Sequence, residues 1–171
     1  HTVPNGVPNM WVDPETPDPD YPVILDELGV AEDARIIYVG GSWTPWMDER
    51  LMGDALGQVL ATSKDAVVIV RGNSTDGGLP GRVRRNFFDA IGKEAPAGSV
   101  HELSPDQVPE SPLLAHARTT ILLDRDIPES ELGARNRLLP FVRYGLKPIV
   151  FGRSEIANEL IEMGLAIEPA S

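Results

Sequence analysis

Short apolar runs that alternate with amphipathic helices are the feature that most constrains the fold of this 171-residue chain. The pattern begins at Ala34 and predicts strands over residues 34–39, 66–70, 99–103, 119–123, 147–151 and 165–168. Helices are predicted between them, over residues 48–62, 80–94, 132–144 and 154–163. Strands joined in this way need right-handed crossovers and form a parallel sheet covered on both faces. The sequence therefore predicts a doubly wound α/β domain with the first strand near the centre of its sheet.

The beginning of the chain differs from the rest because prolines and turn-forming pairs dominate it. We interpret residues 1–33 as an interdomain linker or lead-in, within which residues 22–28 form a short helix that ends at Gly29. Residues 34–171 are interpreted as the folded domain. The chain does not begin with Met, and we expect it to be a fragment of a longer protein.

Charge and composition exclude several classes of function. The 26 acidic side chains outnumber the 15 basic ones and give a formal net charge of -11. Because this charge repels a polyphosphate backbone, we expect no nucleic-acid partner, whereas a few local donors can still bind a small phosphate ligand. The absence of cysteine excludes disulfides, thiol catalysis and cysteine-based zinc sites. No apolar run is long enough to predict a transmembrane segment.

In a doubly wound sheet, ligands bind outside the carboxyl ends of the strands, where the strand order reverses. Gly40, Gly41 and Ser42 follow the first predicted strand, and glycines there let a ligand approach the backbone. The alternative is that the Gly-Gly pair is only a turn. Arg71 and Gly72 follow the second strand. The planar guanidinium of Arg71 is suited to binding phosphate, and the alternative is a solvated loop arginine.

A third candidate lies at residues 131–137, which lead from the fourth predicted strand into the next helix. Backbone amides at a helix start bind anions, and Arg135 and Arg137 add positive charge there. Two arginines in a first turn oppose the helix dipole, so an anionic ligand would stabilise them. The alternative is ion pairing with the neighbouring glutamates. We expect this turn and the loops after the first two strands to converge on one cleft.

No metal site and no hydrolytic centre is predicted. His101 and His116 lack the spacing of metal ligands, and no serine, histidine and aspartate form the pattern of a catalytic triad. Asp124 and Asp126, on either side of Arg125, suggest paired carboxylates, although solvated loop charges are commoner.

Five segments, taken in order, resemble those of one enzyme family. The sequence VPNGV at residues 3–7 is similar to the segment that opens the family's C-terminal domain. IYVGG at residues 37–41 and VVIVRG at residues 67–72 are similar to the first two strands of that domain. RLLPFVRYGLKPIV at residues 137–150 and the helix at residues 155–165 are similar to its closing signature. Together they resemble the C-terminal domain of GT-B glycosyltransferases of the group 1 type.

The resemblance implies a Rossmann-like lobe that binds a nucleoside-diphosphate sugar and faces an N-terminal, acceptor-binding domain outside this chain. It implies no metal and no cofactor, because arginine, lysine and helix amides neutralise the diphosphate. The implied location is the cytoplasm, with peripheral membrane contact through the missing domain. It implies no particular catalytic residue. The implied donor-binding residues are Gly40, Gly41, Ser42, Arg71, Gly72, His101, Glu131, Leu132, Gly133, Arg135, Asn136 and Arg137.

The chain departs from the family pattern at three places. Gly41 stands where many members have arginine, Trp46 and Met47 occupy the neighbourhood of a lysine, and Pro140 replaces a glutamate that typically contacts the donor ribose. Because these departures leave the diphosphate charge to be supplied elsewhere, we hypothesise that Arg137 binds it. Pro140 also predicts a kink in its helix.

Two alternatives remain open. A non-catalytic domain that keeps the fold for protein interaction is favoured by the missing arginine, lysine and glutamate. A nucleotide-sugar epimerase of the same fold would share the donor site but needs acid–base carboxylates that the sequence does not place.

Overall fold

One parallel sheet organises the part of the chain that the computed structural model describes, which is residues 21–72, 77–106, 110–132, 138–152 and 154–169. Its strands are β1 (Arg35–Gly40), β2 (Ala66–Arg71), β3 (Val100–Leu103), β4 (Thr119–Leu123) and β5 (Ile149–Phe151). Neighbouring strands all pair in parallel, and their order across the sheet is β3-β2-β1-β4-β5. The predicted doubly wound fold is confirmed, with β1 at the centre.

Helices join the strands and cover the sheet. They are α1 (Tyr21–Glu27), α2 (Glu49–Thr62), α3 (Gly78–Ile91), α4 (Glu110–His116), α5 (Pro128–Leu132), α6 (Leu138–Arg143) and α7 (Glu155–Glu162). Side-chain caps begin two of them, because Asp48 accepts a hydrogen bond from the N–H of Leu51 in α2 and Ser154 accepts one from Ala157 in α7. These caps lie at the first residues of the predicted helices 48–62 and 154–163.

Two features of the fold differ from the prediction. Helices α4 and α5 lie where the sequence predicts none. A single parallel bridge between Ile149 and Ile167 stands in place of the predicted sixth strand. Of the predicted helix 132–144, residues 133–137 lie outside the described part of the chain and residues 138–143 form α6. Pro140 belongs to α6, and the kink expected there stays a prediction.

Side chains alternate between the two faces of the sheet. On the first face, Ile36 and Tyr38 of β1 pack against α1, α4, α6 and α7. On the second face, Val39 of β1 and Val68 and Val70 of β2 pack against α2 and α3. This period of two places the two core clusters on opposite sides of one sheet, as expected for a parallel sheet buried on both faces.

The second face is covered only in part. A groove of about 550 Å³ lies beside α2, over β1, β4 and β5. Leu51 and Val59 of α2 form one wall, and Ile37, Ile121 and Phe151 of the sheet form the floor. Leu51 is 48% exposed and Phe151 is 41% exposed. Within the described residues, the outer half of the second face therefore presents aliphatic surface to solvent.

The predicted lead-in contributes to the core. The short helix expected over residues 22–28 is present as α1, and Gly29 follows it with a φ of 67°. Leu25 and Val30 are buried in the cluster of the first face. Residues 1–20 lie outside the described part of the chain, so the boundary between lead-in and domain stays a prediction.

Candidate functional site

The connections between strands change direction between β1 and β4. From β1 the chain crosses through α2 to β2 and through α3 to β3, on one side of β1. From β3 it returns through α4 to β4, on the other side. The β1–α2 loop (residues 41–48) and the loop after β4 (residues 124–127) therefore border the crevice in which doubly wound sheets bind their ligands. We take this crevice as the candidate site.

The first two predicted loops meet at this edge. The N–H of Gly41 donates to the carbonyl of Arg71 at 3.2 Å. Gly41 has a φ of 107°, which residues with a side chain rarely adopt. A Cβ on Gly72 would lie 3.0 Å from the carbonyl oxygen of Gly41, so both glycines permit a close approach of the two backbones. Ser42 is exposed beside them.

The guanidinium of Arg71 is held by other groups of the protein. Its Nη2 donates to the carbonyl of Pro105 at 2.9 Å, and its Nη1 lies 3.9 Å from Oε2 of Glu110. Tyr38, fully buried, donates its hydroxyl proton to Oε1 of Glu110 at 2.6 Å. Burial and the charge of Glu110 raise the pKa of Tyr38, so its hydroxyl stays protonated. A Cβ on Gly40 would overlap the Tyr38 ring.

These contacts contradict the interpretation of Arg71 as a solvated loop arginine. The side chain is only 16% exposed, so it is neither a solvated loop arginine nor directed freely toward the crevice. It connects the end of β2 with the loop after β3 and with the start of α4. Binding of a phosphate by Arg71 stays a prediction.

The side chain of Trp43, in the β1–α2 loop, packs against the second face of the sheet. It is 5% exposed, and its ring centroid lies 5.3 Å from that of Phe87 and 6.2 Å from that of Phe88. The indole Nε1 of Trp43 and the hydroxyl of Thr44 are buried, and neither has a hydrogen-bond partner among the described residues. Buried polar groups without a partner are rare in folded proteins. Two of them lie in the loop that borders the crevice.

Arg125, in the loop after β4, holds the β1–α2 loop through hydrogen bonds from its backbone and its side chain. Arg125 donates its backbone N–H to the carbonyl of Trp46 at 2.7 Å and its Nε–H to the carbonyl of Met47 at 3.0 Å. Its Nη2 donates to Oε2 of Glu49 at 2.7 Å. Glu49 is 2% exposed and also accepts a hydrogen bond from Nδ2 of Asn86 at 2.9 Å. The sequence predicts none of these contacts.

The third predicted loop is described only at its beginning. The backbone of Glu131 and Leu132 ends α5, which starts five residues after the last residue of β4 and therefore leaves from the same edge of the sheet. Convergence of this turn on the crevice stays a prediction. Four of its candidate residues lie outside the described residues: Gly133, Arg135, Asn136 and Arg137.

His101 is not brought to this edge. It is the second residue of β3 and pairs beside Ile69 in the middle of β2. Its Nε2 lies 2.9 Å from the carbonyl oxygen of Gly98, which precedes the strand. The ring is therefore bound near the amino edge of the sheet, opposite the crevice, because β3 runs parallel to its neighbours.

The two aspartates beside Arg125 differ in environment. Asp126 is exposed, as expected for a loop charge, but Asp124 is only 4% exposed. The backbone N–H of Asp124 donates to the carbonyl of Phe151 at 2.8 Å. A Cβ on Gly152 would lie 2.9 Å from the Cβ of Asp124. The interpretation of Asp124 as a solvated loop charge is therefore wrong, because the ends of β4 and β5 pack around it.

Two further features are absent from the described residues. No group of three or more histidine, aspartate or glutamate side chains is placed to hold a metal ion there. No helix among them is long and apolar enough to cross a membrane.

Two solved structures are similar to most of the chain. WaaG, a glycosyltransferase involved in lipopolysaccharide biosynthesis, matches 99% of the chain with a TM-score of 0.66 and 18% sequence identity. A glycosyltransferase from Rickettsia africae ESF-5 matches 83% of it with a TM-score of 0.63 and 12% identity. The chain has the fold of a glycosyltransferase lobe. The fold implied by the GT-B resemblance is thus confirmed.

These similarities concern part of each protein. The chain spans 43% of the length of the WaaG structure and 35% of the Rickettsia structure. No protein-family model and no curated protein sequence matches it. At such low identity the matches show the fold.

Proposed function

We propose that this lobe binds a nucleoside-diphosphate sugar in the crevice between β1 and β4 and takes part in transferring the sugar to an acceptor. The observation that carries the proposal is the β1–α2 loop at the point where strand order reverses. In this loop Ser42 is exposed, and the buried side-chain polar atoms of Trp43 and Thr44 have no hydrogen-bond partner among the described residues. Donors held in a loop of this kind bind phosphate and sugar oxygens.

The proposed catalysis is electrostatic and independent of metal. Positive groups and backbone amides stabilise the departing diphosphate while the acceptor attacks the anomeric carbon. Because Arg71 is bound to Pro105 and Glu110, we assign this positive charge to Arg135 and Arg137. The acceptor is bound by an N-terminal domain outside this chain, so the lobe alone binds the donor without turnover.

A non-catalytic interaction domain is the second candidate. The observation that favours it is that several ligand-like signals have partners within the protein. The guanidinium of Arg71 has its own hydrogen bonds, Gly40 accommodates the ring of Tyr38, and Gly72 accommodates the backbone of Gly41. A scaffold needs these contacts as much as an enzyme does.

Titration with nucleotides separates the two candidates. Calorimetry with UDP, ADP, GDP and dTDP, each with magnesium and with EDTA, should show saturable binding of at least one diphosphate, with the same affinity in both conditions. Loss of binding in EDTA would contradict metal independence. Absence of binding by all four nucleotides would favour the interaction domain.

A matched pair of glycine variants tests the location of the site. Gly41 and Gly98 both have a positive φ, of 107° and 80°, but they lie at opposite edges of the sheet. An alanine at either position is strained by about 1–2 kcal/mol. Gly41→Ala should weaken diphosphate binding at least tenfold, whereas Gly98→Ala should leave the affinity unchanged. Equal affinities for the two variants would place the ligand elsewhere.

A further inference from the structure

The position of the β1–α2 loop depends on groups that lie outside the loop. The carbonyls of Trp46 and Met47 both accept hydrogen bonds from Arg125. The N–H of Asp48, at the end of the loop, donates to the carbonyl of Leu123 at 2.9 Å. Arg125 and Leu123 flank the end of β4, so these contacts hold the loop across the carboxyl end of that strand.

Glu49 and Asn86 fix the direction of the Arg125 guanidinium. Burial alone raises the pKa of Glu49, but the hydrogen bonds from Asn86 and Arg125 outweigh it and hold the pKa below its usual range. The carboxylate is therefore charged at neutral pH and engages both of its oxygens. Glu49 belongs to α2 and Asn86 to α3, and Arg125 follows β4 and contacts the β1–α2 loop. The one buried carboxylate of Glu49 therefore connects the loop, the end of β4 and two helices.

We propose that Arg125, held by Glu49 and Asn86, is a positioning residue for the donor site. It keeps the β1–α2 loop, in which Ser42 is exposed beside the crevice, in the conformation that binds a diphosphate sugar. This inference rests on the proposed function, because it names what holds the same site in place.

The geometry requires an arginine. Along one edge of its guanidinium, Nε reaches the carbonyl of Met47 while Nη2 reaches the carboxylate of Glu49. A lysine has a single ammonium group on a flexible stem and cannot reproduce this fixed pair of contacts. Arg125→Lys therefore keeps the charge and the backbone hydrogen bond to Trp46 but loses one of the two contacts of the guanidinium.

The chain offers a matched control in Arg84. Its Nε donates to Oε1 of Glu102 at 2.5 Å, and its Nη2 donates to Oε2 of the same carboxylate. This pair joins α3 to the edge strand β3, and neither of its two hydrogen bonds ends on the β1–α2 loop, although the guanidinium also lies 5.2 Å from the centroid of the Phe88 ring. Arg84→Lys thus disturbs a two-donor ion pair of the same kind without freeing the loop.

The test compares nucleotide affinity, stability and loop exchange in the two variants. Arg125→Lys should weaken diphosphate binding about ten- to a hundredfold, because small displacements of contacting groups have effects of that size. Arg84→Lys should change the affinity less than twofold. Both variants should lower Tm, so a role in stability alone cannot produce the difference in affinity.

A spectroscopic signature follows the loop directly. In an NMR spectrum of the free protein, Arg125→Lys should shift the indole N–H resonance of Trp43, assigned with Trp43→Phe. It should also speed hydrogen exchange of the amides of residues 42–44, 46 and 47. Addition of the diphosphate should move the indole resonance in the wild type and not in Arg125→Lys.

The outcomes separate this inference from the proposed function. If the wild type binds a diphosphate and Arg125→Lys binds it equally well, the positioning role is overturned and the proposed function stands. If the wild type binds no nucleotide, the proposed function fails, and with it the role in donor binding. Unchanged exchange at the amides of residues 42–44, 46 and 47 in Arg125→Lys would refute the claim that the Arg125 side chain holds the loop, since the backbone hydrogen bond from Arg125 to Trp46 is kept in that variant.

Discussion

The hydrogen bond between Tyr38 and Glu110 gives the sharpest test of how the carboxyl edge is built. Tyr38→Phe removes one oxygen from the central strand and leaves the ring in place. In the structure that oxygen is fully buried and donates to Oε1 of Glu110 at 2.6 Å. The substitution therefore leaves the carboxylate with Arg71 as its remaining charged neighbour, 3.9 Å away.

The expected loss of stability follows from the charge and exposure of the acceptor. A hydrogen bond to a charged group contributes about 1.5–3 kcal/mol. The side chain of Glu110 is 29% exposed, so water replaces part of the interaction and the lower end of that range applies. For a domain of this size, roughly 2–4 °C of Tm corresponds to each kcal/mol. Tyr38→Phe should therefore lower Tm by about 3–6 °C.

A double-mutant cycle isolates this contact. Unfolding in urea of Tyr38→Phe, Glu110→Ala and the double variant should give a coupling energy of about 1.5 kcal/mol. Glu110→Gln, which keeps an oxygen able to accept from Tyr38 and removes only the charge near Arg71, should cost at most about 1 kcal/mol. A coupling energy near zero would refute the reasoning, since the hydroxyl would then gain nothing from the carboxylate.

Two further predictions concern charge. Arg137→Ala should weaken diphosphate binding about ten- to a hundredfold, as expected for a charge-assisted contact. Arg118, which is exposed at the amino edge of the sheet, provides the control, and Arg118→Ala should leave the affinity unchanged. Equal affinities of the two variants in calorimetry would contradict the hypothesis that Arg137 binds the diphosphate. The pKa of Glu49 is lower in the folded protein than its value of near 4.5 in the unfolded chain. The charged carboxylate therefore stabilises the folded state above pH 4.5, and this stabilisation is lost as the pH falls through the folded pKa. Urea unfolding between pH 6 and pH 3 should therefore show a steeper loss for the wild type than for Glu49→Gln, and parallel profiles would exclude this linkage.

Strands could be predicted where a short run of apolar and β-branched residues is bounded by polar residues. The predicted and observed limits of β4 agree, because its run of β-branched and apolar residues lies between the charged residues Arg118 and Asp124. Helix α4 shows the opposite case. It has seven residues and a proline near its start, so local propensity is weak. Only the complete burial of Leu113 and Leu114 against the first face explains it, and that depends on distant parts of the chain.

Helix α2 shows what periodicity cannot resolve. Its apolar residues form one broad stripe in the sequence, which predicts a single buried face. In the structure Met52 and Leu56 enter the core, whereas Leu51 and Val59 line the open groove on the second face. A stripe this wide serves two different surfaces, and the sequence does not show which half the sheet covers.

The candidate site was predictable as a location but not as a set of contacts. Topology alone places Gly41 and Arg71 at the same edge, and the structure joins them by a hydrogen bond. Glu49 and Arg125 are 76 positions apart, and nothing in either neighbourhood indicates the other. An acidic residue in the first turn of a helix is usually explained by the helix dipole, so its burial under a distant arginine leaves no local signal.

Which polar groups at the carboxyl edge of the sheet have partners within the protein bears on the choice between an enzyme and a non-catalytic interaction domain. Arg71 and Gly72 are explained by contacts within the protein, so they do not discriminate between the two. The Trp43 indole N–H and the Thr44 hydroxyl are buried and have no hydrogen-bond partner among the described residues, which costs about 1–3 kcal/mol for each group. The same cost is expected in a scaffold and in a lobe without its ligand, so these two groups do not decide between them. Arg125 holds the neighbouring carbonyls of Trp46 and Met47, so the choice between enzyme and scaffold depends on the nucleotide titration and on the Arg125→Lys variant.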